Sequence, residues 1–250
     1  MKLFSSDPPG QDGFSLIELM IAMVLGLFIL GSLLSLFVGN KQAYRVQGAA
    51  SNLQENARFA LEILNREARK AGYRAPFAQA SVAFPAVGGS FGAGQAVSGT
   101  DTTLTLRYQG SGSGAGDGWI KDCLGRDVAE GDLATVNLFV NDLNELSCTA
   151  DNPTDGPQTR GFINGVQEMR FTYGEDTGGD AYADAYVVAG AVVDWTRVVS
   201  VRIELLLMTL DDGYVDPPVP YTWNGVQITP EDRRMRRVYS NVIGFRNLLP

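Results

Sequence analysis

The sequence predicts an α+β fold in which one long N-terminal helix packs on an antiparallel β-sheet head. Three features predict it: an unbroken apolar run near the N-terminus, a helical period that outlasts that run, and period-two alternation through the rest. The apolar run covers residues 14–39, twenty-six positions with nineteen apolar side chains, three Gly, three Ser and the single charge of Glu18. As a helix it would be about 39 Å long, enough to cross a hydrocarbon core of roughly 30 Å with some tilt. A cleaved secretory signal fits poorly, because its apolar region would be only about 7 to 15 residues long with a small-residue cleavage site behind it.

Helical periodicity does not stop at Gly39. Val46, Leu53, Ala57, Ala60, Leu61, Leu64 and Ala68 recur at three- and four-residue steps, with Gln54, Glu55, Arg58, Glu62, Arg66 and Arg69 between them. No proline interrupts the chain between Pro9 and Pro76. One helix is therefore expected from Phe14 to Ala71, roughly 85 Å long, apolar all round in its first half and amphipathic in its second. Gly72 is the expected stop, with Arg69 and Lys70 in the last turn, where the helix dipole favours cations.

Beyond Pro76 the period shortens to two. Leu104, Leu106 and Tyr108 alternate with Thr103, Thr105 and Arg107, and Val136, Leu138 and Val140 alternate with Thr135, Asn137 and Phe139. Met169, Phe171 and Tyr173 fall on one face of a further strand. Val199, Val201, Ile203, Leu205 and Leu207 do so on another, with Ser200, Arg202 and Glu204 opposite, and Met235, Arg237 and Tyr239 open a last one. Strands of this kind have one face on a core and one in water, and the apolar stripe of the helix is the natural partner for the dry face.

Composition narrows the chemistry. The chain has 250 residues, no histidine, two cysteines and a formal charge of −8. Without histidine there is no Ser-His-Asp triad, no Cys-His pair and no His-ligated zinc. The acidic balance opposes a nucleic-acid partner, since phosphate binding is driven by lysine and arginine. Paired carboxylates, an activated nucleophile and a cofactor fingerprint are all missing. The chain is read as no enzyme, with no cofactor and no metal.

Glu18 remains to be explained. A carboxylate five residues into an apolar helix is costly, and such a group is functional by default, with a partner to be named. With its neighbours Gly13-Phe14-Ser15-Leu16-Ile17 it resembles the prepilin cleavage and methylation motif of type IV pilins and pseudopilins. The resemblance implies that a prepilin peptidase cuts after Gly13 and that the new terminal amine of Phe14 is methylated. It also implies that Glu18 pairs with the terminal amine of a neighbouring subunit, so that one charge sets both attraction and axial register. Lys2 against Lys41 and Arg45 would by themselves orient the span the other way; the motif takes precedence because the peptidase site faces the cytoplasm.

Tyr44-Arg45, residues 53–60, residues 69–73, residues 122–125, residues 165–174, residues 201–207 and residues 237–241 are similar to the minor pilin PilW family. That resemblance implies a type IV pilin-like fold in four segments: a prepilin leader at 1–13, a transmembrane and filament-core helix at 14–40, the amphipathic half of the same helix at 41–75, and a periplasmic β-rich head at 76–250. It implies a structural subunit that helps prime type IV pilus assembly and sits in the pilus or its tip complex. Before assembly it would be single-pass in the inner membrane with a periplasmic head. Its partners would be the prepilin peptidase, other minor pilins, the major pilin and inner membrane lipid, with a tip adhesin as a further candidate. A J-type minor pseudopilin of a type II secretion system shares the plan, and a binding module displayed as a pilus adhesin is the rival from another class.

In a periplasmic head Cys123 and Cys148 are expected to form a disulfide. A reactive thiol would need electropositive surroundings, which Asp122 and Asp127 oppose. Four other features are read as ordinary surface. The glycine-rich stretch 110–118 is taken as a flexible hairpin loop, because no helix and no Lys-Ser/Thr follow it. Asp176, Asp180 and Asp184, with Glu175, are taken as a solvated acidic loop whose spacing matches no calcium motif, and residues 151–156 lack the middle ligands of an EF-hand. Arg233, Arg234, Arg236 and Arg237 are taken as a salt-bridged face.

Overall fold

The computed structural model describes residues 13–74, 78–112 and 118–249. The expected leader, apart from Gly13, and the expected boundary at residues 75 and 76 lie outside the described residues, as does the middle of the glycine-rich stretch. The chain divides into two compact units, one ending at Gln47 and the other beginning at Gly48.

Helix α1 runs over Leu16–Lys70, with Glu18 in its first turn and Arg69 and Lys70 in its last. Both signs of charge complement the macrodipole. In the first unit its apolar side chains are exposed, Leu16, Phe28 and Phe37 among them. A helix apolar on every side, long and unbroken, is of the kind that can cross a membrane.

In the second unit α1 buries Ala49, Leu53, Ala57, Ala60, Leu64, Glu67 and Ala68. The spacing follows the expected stripe, with Glu67 as an unexpected member. Leu61, also expected in the stripe, is half-buried and marks its edge, while Val46, half-buried too, belongs to the first unit. The helix ends as the sequence reading anticipates: Gly72 adopts φ +76°, and its N–H donates to Arg107 O at 2.9 Å. A Cβ there would lie 2.3 Å from Leu248 Cδ2. The Asn247 amide donates to Arg69 O at 2.9 Å and to Ala71 O at 3.2 Å, so a residue at the far end of the chain satisfies carbonyls that the helix leaves open.

Among the described residues a short helix α2 (Ala80–Ala83) precedes eleven strands: β1 (Val97–Gly99), β2 (Leu104–Gln109), β3 (Leu133–Val140), β4 (Glu145–Asp151), β5 (Gln158–Asn164), β6 (Val166–Glu175), β7 (Ala185–Val187), β8 (Val198–Met208), β9 (Tyr221–Trp223), β10 (Val226–Ile228) and β11 (Arg236–Gly244). They form a five-stranded sheet in the order β1-β2-β3-β4-β5, a four-stranded sheet in the order β11-β8-β6-β7, and a β9-β10 ribbon. All pairings are antiparallel.

The fold class is therefore α+β, a long helix on antiparallel sheets. Leu104 faces Leu138 and Leu106 faces Val136 across β2 and β3, while Met169 faces Leu205 and Phe171 faces Ile203 across β6 and β8. These side chains and the stripe of α1 form one buried cluster. On the other face of β8, Leu206 and Met208 are buried as well, where the sequence pattern anticipates a wet face. The excursion between β8 and β11 returns to this side: Arg234 reaches Met208 Sδ at 3.8 Å, and the Arg236 guanidinium lies 5.4 Å from the Tyr221 ring centroid.

Candidate functional site

The N-terminal motif lies where the chain enters α1. Gly13, Phe14 and Ser15 precede the first helical turn, and Phe14 is 90% exposed. The Ser15 N–H donates to Glu18 Oε2 at 3.1 Å, and the Leu19 N–H donates to Ser15 O at 3.2 Å. Ser15 is thus the residue that opens the helix, and Glu18, three positions on, reaches back to it as in half of a capping box. This local role of Glu18 escaped the sequence reading, although Ser15-Leu16-Ile17-Glu18 spells the S-x-x-E signature. Further along, the Ser32 hydroxyl donates to Phe28 O at 2.9 Å, so this polar group inside the apolar run is satisfied by its own helix.

Cys123 and Cys148 are bonded to each other, with their Cα atoms 6.5 Å apart. Both are buried, Cys148 on the core face of β4 opposite Leu138. The loop carrying Cys123 is organised by Asp122, which accepts from Leu124 N at 2.9 Å, Arg126 N at 3.0 Å and Arg126 Nε at 2.6 Å. Arg126 then donates to Ala150 O at 3.0 Å and Gly156 O at 3.2 Å, joining the loop to the end of β4. Breaking the bond with Cys148→Ser is expected to lower head stability by about 3.5 kcal/mol in the chain-entropy treatment. Urea midpoints of wild type and variant, with and without reductant, check this; a variant as stable as the oxidised wild type would contradict it.

At the C-terminal end of α1, Glu67 is fully buried, with Lys70 Nζ at 2.6 Å and the Tyr108 hydroxyl at 3.4 Å. Lys70 also donates to Lys121 O at 2.6 Å, linking the helix end to the disulfide loop. Burial pushes the Lys70 ammonium below its ordinary pKa, against the opposing pull of Glu67, and burial raises the Tyr108 phenol well above its own. Glu67 Oε1 has no hydrogen-bond partner. Polar residues on the buried stripe leave no periodicity signal, so only the tertiary contacts disclose this cluster.

The acidic loop after β6 is closed on itself. Asp184 Oδ2 accepts from the Thr177 hydroxyl at 2.7 Å, Thr177 N at 2.7 Å and Gly178 N at 2.9 Å. The hydroxyl first and the amides after it hold the carboxyl of Asp184 below its usual pKa. Asp176 accepts from Ala181 N at 2.9 Å, and Glu175 from Asp194 N at 2.7 Å. These carboxylates act as turn formers, and among the described residues no group of three acids or thiols is placed to hold a metal ion. In the segment 151–156, Asn152 Oδ1 likewise accepts from Thr154 N at 3.0 Å and Asp155 N at 2.8 Å.

The arginine cluster is paired at its centre. Arg236 Nη2 meets Asp232 Oδ2 at 2.8 Å and its Nε donates to Gln167 Oε1 at 2.8 Å, while Arg233 meets Asp216 at 3.4 Å. The hydrogen bond from Arg236 is the main cause that lowers Asp232 from 3.8 to about 2. A depressed acid stabilises the fold above its unfolded pKa, and that contribution is lost as pH falls through the folded value. This pair is therefore expected to support the start of β11 at pH 4 and above and to fail near pH 2. A carboxyl titration followed by NMR should show the Asp232 midpoint rising toward 3.8 in Arg236→Gln; an unmoved midpoint would refute the pairing.

The structure thus unites the two cysteines in the head and places Gly13, Phe14 and Glu18 together at the start of α1, in the other unit. Against known proteins, the family described as Type IV Pilus-assembly protein W matches residues 132–247, and the Prokaryotic N-terminal methylation motif matches residues 9–34. A type IV-like pilin from Thermus thermophilus is similar over 78% of this chain and 98% of its own, at 16% identity and a TM-score of 0.47. No curated protein matches the chain.

Proposed function

Since this chain belongs to the PilW family of type IV pilus-assembly proteins and is a minor pilin, we propose that it primes pilus assembly together with other minor pilins and sits at or near the filament tip. Its methylation motif implies processing by a prepilin peptidase, pilus assembly implies pilin partners, and its apolar helix fits the inner membrane first and the pilus afterwards. In this reading residues 1–13 are the leader, removed by a cut between Gly13 and Phe14, and the amine of Phe14 is then methylated. Residues 14–40 cross the membrane and later enter the filament core, residues 41–75 support the head, and residues 76–250 form the head in the periplasm.

The observation that carries the proposal is a helix apolar on every side with a single acid, Glu18, in its first turn. Lipid or other apolar helices must cover such a surface. Among the described residues Glu18 accepts one hydrogen bond from a backbone amide and has no cation beside it. A methylated terminal amine on the adjoining subunit supplies that cation, so the burial cost is offset only on assembly. The role is structural: the chain is a scaffold and contact surface, with no reaction assigned to it.

Intact mass and terminal sequencing of the chain from its native cell test the processing step. A species beginning at methylated Phe14 is expected, and native material retaining Met1 would overturn it. Deletion of the gene tests the system it serves: loss of surface pili and twitching supports the pilus, whereas loss of export of a folded enzyme with pili intact transfers the chain to a secretion pseudopilus.

A further inference from the structure

Among the described residues the two larger sheets end in four edge strands, and three of these are blunted. β1 and β7 are three residues long, and β5 faces a register shift between Leu146 and Ser147 of β4, an irregularity of the kind that twists an edge away from further pairing. β11 is different. It pairs with β8 through nine consecutive residues, Arg236 to Gly244, with no shift of register, and it contains no proline, lysine or acid. No further strand lies on its other side.

The ladder shows which backbone groups are open. The Phe245 N–H donates to Val199 O at 2.8 Å and the Thr209 N–H to Met235 O at 3.0 Å. Odd-numbered residues therefore exchange hydrogen bonds with β8, and even-numbered ones turn N–H and C=O away from it. Val238, Ser240, Val242 and Gly244 are all exposed, Val238 by 41% and Val242 by 48%. Of their outward groups, among the described residues, the Val242 N–H alone finds a partner, Asn241 Oδ1 at 2.9 Å. The β9-β10 ribbon meets the strand at Arg236, under the Tyr221 ring, and leaves the even-numbered residues after it exposed.

The ends of this open edge carry charge of one sign. No acid follows Asp232 in the sequence, whereas Arg233, Arg234, Arg236, Arg237 and Arg246 do, in a chain whose formal charge is −8. Asp216 and Asp232 engage the first three. Arg237 and Arg246 are exposed, and among the described residues neither has an acid within ion-pair distance. They bracket the open backbone, separated by roughly 30 Å of extended chain. The two unpaired cations and the unpaired backbone groups thus belong to one surface.

From this geometry we infer that β11 accepts an extended acidic segment of a partner protein as a further strand of its sheet. Main-chain hydrogen bonds from residues 238–244 supply the affinity, and Arg237 and Arg246 select a segment with acids at its two ends. Val238 and Val242 offer apolar contact to the side chains of the added strand. The charges decide against a second copy of this chain. Antiparallel pairing of two copies over residues 238–244 brings the arginines of one against those of the other, and like charges opposite each other destabilise a strand pair. A nucleic acid could meet the arginines but cannot continue a peptide ladder. The inference concerns the head alone and holds for any position of the subunit in the filament.

The test uses the full chain in detergent micelles and a fluorescent peptide of about ten residues, threonine alternating with valine between terminal glutamates, a length that spans Arg237 to Arg246. Saturable binding is expected by anisotropy. It should be at least about tenfold weaker for the same peptide with terminal lysines, and for the acidic peptide N-methylated throughout, which has no ladder donors. Arg237→Glu combined with Arg246→Glu should reverse the preference between glutamate and lysine ends. Ser240→Pro removes one outward N–H and no bond to β8, so it should weaken binding with the melting temperature unchanged. The methylated peptide carries this arm if that variant fails to fold. No binding of the acidic peptide, equal binding of glutamate- and lysine-ended peptides, or binding indifferent to methylation would overturn the inference. Dimers of the full chain that Ser240→Pro dissolves, without peptide binding, would also overturn it and assign the edge to a second copy.

Discussion

Replacing Glu18 by glutamine is expected to leave the chain cleaved and inserted in the membrane but to abolish its incorporation into pili. Glutamine at this position can still accept the Ser15 N–H, so the start of α1 is preserved. Only the negative charge is removed. An ionised carboxylate within an apolar helix costs about 3 kcal/mol on insertion scales, so the neutral side chain inserts at least as well as the acid. On the proposed pairing, what disappears is the attraction to a neighbouring amine, and with it the axial register. Glu18→Ala loses the cap as well and conflates the two effects. Cleavage is read from the gel mobility of the processed form, and incorporation from the protein content of sheared pili. Normal pili in the glutamine variant would remove the charge-pairing mechanism while leaving the processing motif untouched.

The second large effect is expected in the head. Lys70→Met should lower its stability by about 4 kcal/mol, because it strands the fully buried Glu67 without its cation. The neighbours that remain are the Tyr108 hydroxyl at 3.4 Å and the largely exposed Arg66 at 3.7 Å. Neither replaces an ammonium at 2.6 Å. In contrast, Lys70→Met combined with Glu67→Leu should recover most of the loss. The pair is already imperfect, with Glu67 Oε1 lacking a hydrogen bond, and burying two apolar side chains avoids desolvating two charges. Urea unfolding of the two single variants and the double variant yields the coupling energy. Additive losses would show that the pair contributes nothing as a unit.

The long helix was legible because its two signals are periodic and strong. Twenty-six apolar-rich residues and a stripe at three- and four-residue steps each survive without knowledge of the partner surface. The same holds for β2, β3, β6 and the middle of β8, where Val201, Ile203 and Leu205 alternate with Arg202 and Glu204. Strands β4 and β5 escaped notice for identifiable reasons. In β4 the buried positions are Leu146, Cys148 and Ala150, two of them small, and Ser147 between them is buried too. In β5 the first four residues are exposed, and Gly161 lies against Glu145, so no apolar face is written into it. The β9-β10 hairpin could have been read, since Asn224 and Gly225 both take positive φ as a two-residue turn requires.

By itself the sequence determined the membrane-compatible helix, its stop at Gly72, the acid at its start, the cysteine pair and the methylation motif. Each depends on local pattern, residue chemistry or chain order, none of which needs a third dimension. Tertiary structure alone decided that Glu67 and Lys70 share a buried cluster with Tyr108, and that Ser98, Thr105, Asn137, Thr149 and Thr159 stand in one row. The row joins residues from five strands, and their neighbourhood is set by strand register, which the sequence encodes only through the packing of the opposite face. The buried ion pair is likewise invisible beforehand, because burial of a charge is a property of what folds over it and not of the residue that carries it.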